Sequence, residues 1–329
     1  MKVAVCYNLK NRESGYLSAE YDAPYTVEAI NKALQSRGAE TFLIQADENS
    51  FGIFRKNRAR IDLVFNLAEG SRGESRESHI PAILEFLRIH YTGPGVECTA
   101  IALNKALTKR LLRLHGIPTA PWAEVGAQGG EGVKDLKMPV VVKPVHEGSS
   151  IGIDGKVSVK ESLRGALQKA REIVEKFNQI ALVEKYLPGP EVTVGILGNK
   201  NLKVLPLLEI YTEMYPRKTG GLMTKEAKTI YESDSFSGPP RNLSPQKRRR
   251  IRELALKTYR VLGCRDLGRV DIRFDRNGEP CVLDVNPIPG LSPRVQDVSY
   301  FTKMSRMGGM TYEEMIWEIV DLAMARRLN

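Results

Sequence analysis

The sequence predicts an α/β chain with more than one sheet, and three patterns carry that expectation. Strand and helix signals alternate over residues 1–95, which calls for a parallel sheet covered by helices. Two apolar runs, residues 270–274 and 281–285, flank Asn277-Gly278, the strongest short hairpin signal, and read as an antiparallel pair. Between these regions, turn chemistry at Tyr91-Thr-Gly-Pro-Gly95 and Leu187-Pro-Gly-Pro190 punctuates further strand and helix patterns.

In chain order, residues 3–7 are the first strand, 26–35 a helix, 40–44 and 61–65 strands, and 80–87 a helical segment. Ligands of parallel sheets gather beyond the carboxyl ends of strands, so residues 7–13 and 66–77 are candidate substrate loops. The second is dense in charge and glycine, although a plain surface loop fits it equally well. Residues 100–115 read as one helix carrying Lys105 and Lys109. A flexible glycine loop follows at 126–132, then a strand ending in Lys143 that feeds a loop with Gly148, Ser149, Ser150 and Gly152. Freed backbone N–H groups, hydroxyls and a nearby ammonium are what polyphosphate binding uses. The lysine precedes the glycines, so this is no Walker A motif. Residues 158–177 read as a helix, 180–184 as a strand, 186–191 as a turn into another strand, and 204–211 as a continuation of that sheet. Residues 212–235 are polar, hold Gly220-Gly221, Lys225 and Lys228, and are a candidate lid. Ser244-Pro245 then opens an amphipathic helix, and 311–327 form a terminal one.

Apolar content of 42% and charged content of 27% are ordinary for a soluble globular protein. No run reaches the roughly 18 apolar residues of a membrane helix. The first residues read as a strand and not as a signal peptide. Cys6, Cys98, Cys264 and Cys281 have no metal or redox spacing, and three of them sit in apolar contexts expected to bury a thiol. A cytoplasmic protein is the simplest expectation. A net charge of +10 raises the question of nucleic acid. The densest basic cluster, Lys247 to Arg252, is most simply the solvated face of the helix after Ser244, and no zinc spacing or RNA-binding aromatic motif accompanies it. Nucleic acid is therefore disfavoured.

A two-residue Asn277-Gly278 loop would set Asp271 opposite Asp284 and Arg269 opposite Asn286, all four on one face. Facing carboxylates with Cβ atoms roughly 5 Å apart weaken a hairpin unless positive charge compensates. Arg269 supplies one charge, and a hard divalent cation held by carboxylate and amide oxygens fits better. Mg2+ takes such ligands and completes its shell with phosphate oxygens and water. The alternatives are a solvated edge hairpin, or a bulged loop that shifts the register by one.

Taken together, Tyr91-Thr-Gly, Asn104-Lys-Ala-Leu-Thr-Lys109, Lys143-Pro-x-x-Glu-Gly-Ser-Ser-x-Gly152, Glu184-x-Tyr-Leu-x-Gly-x-Glu-x-Thr193, Glu226-Ala-Lys228 and Asp284-Val-Asn-Pro-Ile-Pro-Gly290 resemble the ATP-grasp ligases, most closely the D-alanine–D-alanine ligase group. The resemblance covers nearly the whole chain. It implies an ATP-grasp fold with an N-terminal parallel α/β substrate domain (1–95), a small central α+β domain (96–188), and a C-terminal α+β domain (189–329) carrying the Mg2+ and substrate site. It implies Lys105 and Lys143 on the ATP phosphates, with Glu147, Ser149 and Ser150 in the covering loop. Glu184, Tyr186, Leu187 and Leu283 would frame adenine, Glu191 the ribose, and Lys228 would reach phosphate from the lid. Asp271, Asp284 and Asn286 would hold two Mg2+, with Mn2+ as the alternative ion. Arg269 and the Gly290 backbone, with Ser149 and Lys228, would complete the catalytic set. The implied reaction turns a carboxylate into an acyl phosphate, which an amine attacks to form an amide with release of ADP and phosphate.

Departures from the family pattern fall where amino-acid substrates belong. The first loop is Asn8-Leu-Lys-Asn-Arg-Glu13, a His-Gly pair is Glu69-Gly70, the lid tyrosine is Thr229, and a Ser-Leu pair is Val295-Gln296 beside Arg294. Glu13, Glu69, Arg294, Val295 and Gln296 are thus the candidate substrate contacts, and plain D-alanine is expected to be poor in at least one position. Arg294 is able to grip a carboxylate bidentately. The competing reading is a nucleotide-binding regulatory or partner protein on the same scaffold, against which the complete Arg269/Asp271/Asp284/Asn286 set argues. Expected partners are small-molecule amino-acid or carboxylate substrates, with no membrane. A homodimer and a place in peptidoglycan synthesis are left open.

Overall fold

The computed structural model of the chain describes residues 1–10, 19–153, 158–215, 234–297 and 299–326. Among these residues the strands form three sheets. The first is parallel, in the order β2-β1-β3, from β1 (Lys2–Tyr7), β2 (Glu40–Gln45) and β3 (Leu63–Asn66). Helices α1 (Pro24–Gln35), α2 (Ser50–Asn57) and α3 (His79–Phe86) belong to this part. Strand β1 is buried on both faces: Val3 and Val5 join Ile30 and Leu34 of α1, while Ala4 and Cys6 join Phe54 and Leu84. Two-sided burial is why this strand reads as an unbroken apolar run. The short α2, with Gly52 inside it, gave no helical pattern in the sequence.

The single helix expected over residues 100–115 is two, α4 (Val96–Leu103) and α5 (Lys105–Leu114). Asn104 breaks them at φ −87° and ψ 95°, and its side chain accepts the Leu107 N–H as the cap of α5. Asparagine offers the backbone this local bond in place of continued helix. The break puts Lys105 at the start of α5, only 7% exposed.

The second sheet is antiparallel, ordered β4-β7-β5-β6, from β4 (Trp122–Val125), β5 (Val140–Pro144), β6 (Val159–Lys160) and β7 (Ala181–Lys185). Its covering helix α6 (Leu163–Phe177) starts five residues later than expected, because Ser162 caps it on the Gly165 N–H and residues 159–160 pair as β6. The third sheet runs β11-β10-β8-β12-β13, with β9 on the edge of β8. Its strands are β8 (Glu191–Gly198), β9 (Leu202–Val204), β10 (Leu208–Ile210), β11 (Ser237–Gly238), β12 (Leu267–Phe274) and β13 (Pro280–Asn286). The run 204–211 is thus split between β9 and β10, with Pro206, which has no N–H for a ladder, in the gap. Helix α7 (Pro245–Val261) and α4–α5 bury Ile251, Tyr259, Cys98 and Leu112 on one face of this sheet. On the other, α8 (Tyr300–Met307) and α9 (Tyr312–Met324) share a core with β1 and α1. The basic residues of α7 mostly face solvent, as expected. Cys6, Cys98 and Cys264 are buried. Among the described residues no helix is long and apolar enough to cross a membrane.

The hairpin corrects one expectation and keeps another. Its loop is three residues, Arg276 to Gly278: the Asp275 N–H donates to the Glu279 carbonyl at 2.9 Å, and Gly278 takes φ +76°. That extra residue alone would shift the register. A bulge restores it, since Ile272 pairs with Val282 but Asp271 pairs with Asp284, leaving Leu283 between them. Arg269 accordingly faces Asn286.

Asn104→Ala is expected to cost about 1 kcal/mol of stability through loss of the cap, read as a lower urea midpoint. An unchanged midpoint would show that the α4–α5 break does not depend on that side chain.

Candidate active site

Strands from the second and third sheets and loops of the first enclose a cavity of about 700 Å3. Of the sequence-predicted site residues, Lys105, Lys143, Glu147, Ser149, Ser150, Glu184, Tyr186, Leu187, Glu191, Arg269, Asp271, Leu283, Asp284, Asn286 and Gly290 line it, as do Glu69 and Gln296. Leu283 reaches the wall because it is the bulged residue. Arg294 and Val295 do not line it: Val295 is exposed, and the Arg294 guanidinium stacks 3.5 Å from the Tyr25 ring centre. Glu13, Lys225, Lys228 and Thr229, and with them most of the candidate lid, lie outside the described residues.

Charge on the hairpin face is balanced by direct pairing. Arg269 Nε and Nη2 each donate to an Asp271 oxygen at 2.9 Å. Thr193, directly opposite on β8, and Asn286 Nδ2 donate to the same carboxylate at 2.5 and 2.9 Å. Burial disfavours the Arg269 charge, but Asp271 beside it keeps the guanidinium protonated. Asp284 accepts the Val285 N–H at 3.0 Å and lies 3.5 Å from Lys105 Nζ. Its side chain is 25% exposed, toward the cavity. Asn286 donates through nitrogen, so its amide oxygen and the Asp284 carboxylate are both donors of the kind a hard cation takes. Asp271 is already engaged by at least four donor contacts, so it is the least available of the three. Among the described residues no group of three His, Cys, Asp or Glu side chains could hold a metal by itself, so such an ion would need phosphate oxygens and water.

Behind this face lies a buried lysine pair. Val141 of β5 pairs with Glu184 of β7, which brings the next residue on that face, Lys143, to the carboxylate. Glu184 sits 2.6 Å from Lys143 Nζ and 2.9 Å from Lys109 Nζ. Burial alone would raise the Glu184 pKa, but the two lysines outweigh it and hold the carboxyl at about 2. Burial pulls the Lys109 pKa down against the attraction of Glu184. Lys109 lies four residues from Lys105, on the same helix face, which was its signal in the sequence. Arg273 was also missed, although it continues the Arg269/Asp271 alternation on β12. It donates to Glu191 at 3.3 Å and to the Tyr186 hydroxyl at 3.4 Å.

The loop after β5 is held from the first sheet's side. Glu20 accepts the Gly148 N–H at 2.7 Å, and a Cβ on Gly148 would stand 2.5 Å from that oxygen, so a side chain there would push the Glu20 carboxylate aside. Arg76, 4% exposed, clamps Glu20 at 2.8 Å, the His146 carbonyl at 2.8 Å and Glu147 at 3.4 Å. Lys105 Nζ donates to the Glu147 carbonyl at 2.7 Å. Ser149 and Ser150 take φ values of 46° and 61°, a left-handed turn in the cavity wall. Arg76 lies in the charged stretch 66–77; Glu20 gave no signal in the sequence. At the opposite end Asp297 accepts from the Tyr25 hydroxyl and, at 2.8 Å, from Ser292. Burial and Asp297 push the Tyr25 pKa up to about 12.

Glu184→Gln strands two buried ammonium groups and is expected to cost about 3–5 kcal/mol, measured by urea unfolding at neutral pH. Glu184 titrates in the fold at about 2, below its ordinary 4.5, so its contribution is full above 4.5 and fades as pH falls toward 2. The gap between wild type and variant therefore narrows at about pH 3. A gap independent of pH would contradict the pairing.

The comparisons agree with this geometry. Residues 111–321 match the family model described as the D-ala D-ala ligase C-terminus. A protein of Sinorhizobium fredii named y4sG is 36% identical over 91% of this chain and 87% of its own length. A D-alanine–D-alanine ligase of Pelotomaculum thermopropionicum is 35% identical, covering 91% of each chain. The crystal structure of a D-alanine–D-alanine ligase from Bacillus anthracis complexed with ATP superposes with a TM-score of 0.76 at 21% identity, over 98% of this chain and 97% of that one, which shows a common fold. With that identity to its relatives carried across nearly its full length, the chain belongs to the D-alanine–D-alanine ligase family.

Proposed function

We propose that the protein is an ATP-dependent carboxylate–amine ligase. The observation that carries this reading is that one cavity gathers Lys105, Lys143 and the Gly148–Ser150 loop with the Arg269/Asp271/Asp284/Asn286 face. The first set has the chemistry to hold a nucleotide's phosphates, and the second borders the place where a carboxylate would receive the γ-phosphoryl group. In the reaction, the bond between the β,γ-bridging oxygen and the γ-phosphorus breaks and a carboxylate oxygen bonds that phosphorus. An amine then attacks the acyl carbon, the C–N bond forms, phosphate leaves with its oxygen, and the nitrogen gives up a proton. D-alanine is the substrate in the names of the ligase relatives, and its use here as the amine-donating substrate belongs to this proposal.

Lys105 and Lys143 neutralise phosphate charge, which is most of what phosphoryl transfer asks of a protein. Glu147, Ser149 and Ser150 shape the covering loop, and Lys228 would join from the lid. Tyr186, Leu187 and Leu283 wall the adenine. Glu191 takes the ribose, oriented by Arg273, while Glu184 acts by positioning Lys143. Asp284 and Asn286, with Asp271, would hold Mg2+, which when bound supplies further neutralisation of the transferring phosphate. Arg269 and the Gly290 N–H stabilise the oxyanion of the amine adduct. A division at 95/96 and 188/189 is supported by the sheets, whose strands fall within residues 2–66, 122–185 and 191–286. Across that division, α4 and α5 pack on the third sheet's core.

ADP release is expected to depend on both Mg2+ and amino acids. Arg269→Met is expected to lower kcat by about 10²–10³-fold with a small change in KM for ATP. Nucleotide binding without amino-acid-stimulated turnover would favour a binding protein instead. A normal kcat in the variant would remove Arg269 from the oxyanion role.

A further inference from the structure

We propose that the carboxylate-donating substrate is an amino acid with a cationic side chain, an amine or guanidine, received by Asp22, Glu69 and Glu77. The inference rests on the ligase reading and names the substrate class of the same cavity. Asp22, Glu69 and Glu77 line the wall contributed by the first sheet's loops, where ligands of parallel sheets gather. The Asn8 side chain after β1 accepts both the Glu69 and Gly70 N–H groups at 3.0 Å, which fixes this loop in the wall. Glu77 lies near enough to Asp284 and Lys105 to feel their charges, so this wall adjoins the phosphoryl-transfer face.

Among the described residues this wall sets three carboxyls, Asp22, Glu69 and Glu77, beside one cavity-lining lysine, Lys10, whose charge acts on Asp22. Glu77 is only 8% exposed and makes no hydrogen bond or ion pair among the described residues. The cations nearest Glu77, Arg76 and Lys105, are already engaged elsewhere. Arg76 is bound to Glu20, Glu147 and the His146 carbonyl, and Lys105 to the Glu147 carbonyl and Asp284. Burial raises the Glu69, Glu77 and Asp22 carboxyls; Glu77, Glu20 and Asp22 add to it at Glu69, and Glu20 and Asp284 at Glu77, so that Glu77 reaches about 8 and Asp22 about 7 and an arriving cation would draw these carboxyls into their charged forms. A neutral amino acid brings one ammonium, for which a single carboxylate suffices. With Lys10 set against Asp22, Glu69 and Glu77 remain, and two carboxylates call for a second positive charge. A bare metal ion does not meet the need, since no three acidic side chains among the described residues converge as ligands. Glu69 is also where the family's His-Gly pair is lost, so the new charge sits in a substrate loop.

The test is calorimetric titration of the full chain, saturated with Mg2+ and adenylyl imidodiphosphate. The ligands are alanine, 2,4-diaminobutyrate, ornithine, lysine, arginine and glutamate in both configurations. At least one dibasic amino acid is expected to bind about 10–100-fold more tightly than alanine of the same configuration. Glu77→Gln is expected to reduce that ratio about tenfold, and Glu77→Asp to keep more of it. Alanine or glutamate binding as tightly as every dibasic ligand, or no binding by any of them, overturns the proposal. A separate assay for ADP and amide keeps the two readings apart. Dibasic preference in binding without amide formation removes the ligase assignment and leaves the cation-selective wall. Amide formation from alanine with a kcat/KM equal to that of the dibasic ligands removes this proposal and leaves the ligase.

Discussion

Two carboxylates facing each other across neighbouring strands are the constraint on which the rest of the site depends. Asp271 and Asp284 would weaken β12–β13 if left alone. The fold answers with Arg269 two residues along the same strand, Thr193 from the opposite neighbour and Lys105 from another element. Each answer has its own structural cause. Lys105 arrives because Asn104 ends one helix and starts the next. The facing register survives a three-residue loop because Leu283 bulges out, and the bulge also turns that leucine into the cavity wall. Charge balance, helix break and bulge are one arrangement, and disturbing any of them takes a partner from one of the two carboxylates.

The three sheets are joined by buried charge as well as by apolar packing. Arg76 and Glu20 tie the first sheet's loops to the glycine-serine loop of the second. Asp266, fully buried, accepts from the Gly93 N–H at 2.8 Å, from Asn199 at 3.1 Å and from Arg326 at 2.7 and 2.9 Å. It thereby holds the turn after residue 91, the β8–β9 connection and the C-terminal helix together. Such pairs add little net stability compared with apolar packing, but losing one partner is costly. The loops of the first sheet and the glycine-serine loop of the second are consequently set relative to each other by groups that cannot be exchanged one at a time.

Much of this was legible in the sequence where local pattern and chemistry coincide. Alternation announced the parallel sheet, Ser244-Pro245 fixed the start of α7, and the hairpin placed Arg269, Asp271, Asp284 and Asn286 on one face. Features decided by distant partners were not legible. Asn104 looked like an ordinary helix residue until its cap geometry was known, and a bulge has no signature beyond an extra residue. Lys109 and Arg273 stood at the right spacing but had no visible partner, since Glu184 and Glu191 come from other strands. Glu20 was hidden because its role depends on a glycine 128 residues away. Arg294 shows the converse: its chemistry suited a carboxylate, yet stacking on Tyr25 takes it out of the cavity wall.

The central claim is that a substrate carboxylate takes the γ-phosphoryl group before an amide forms. The most direct measurement gives the enzyme ATP, Mg2+ and a turnover-supporting amino acid labelled with 18O in its carboxylate, then examines the released phosphate by 31P NMR. The account predicts one 18O atom in each phosphate formed, matched by an equal amount of amide. Unlabelled phosphate, or phosphate formed at the same rate without any amino acid, would contradict it.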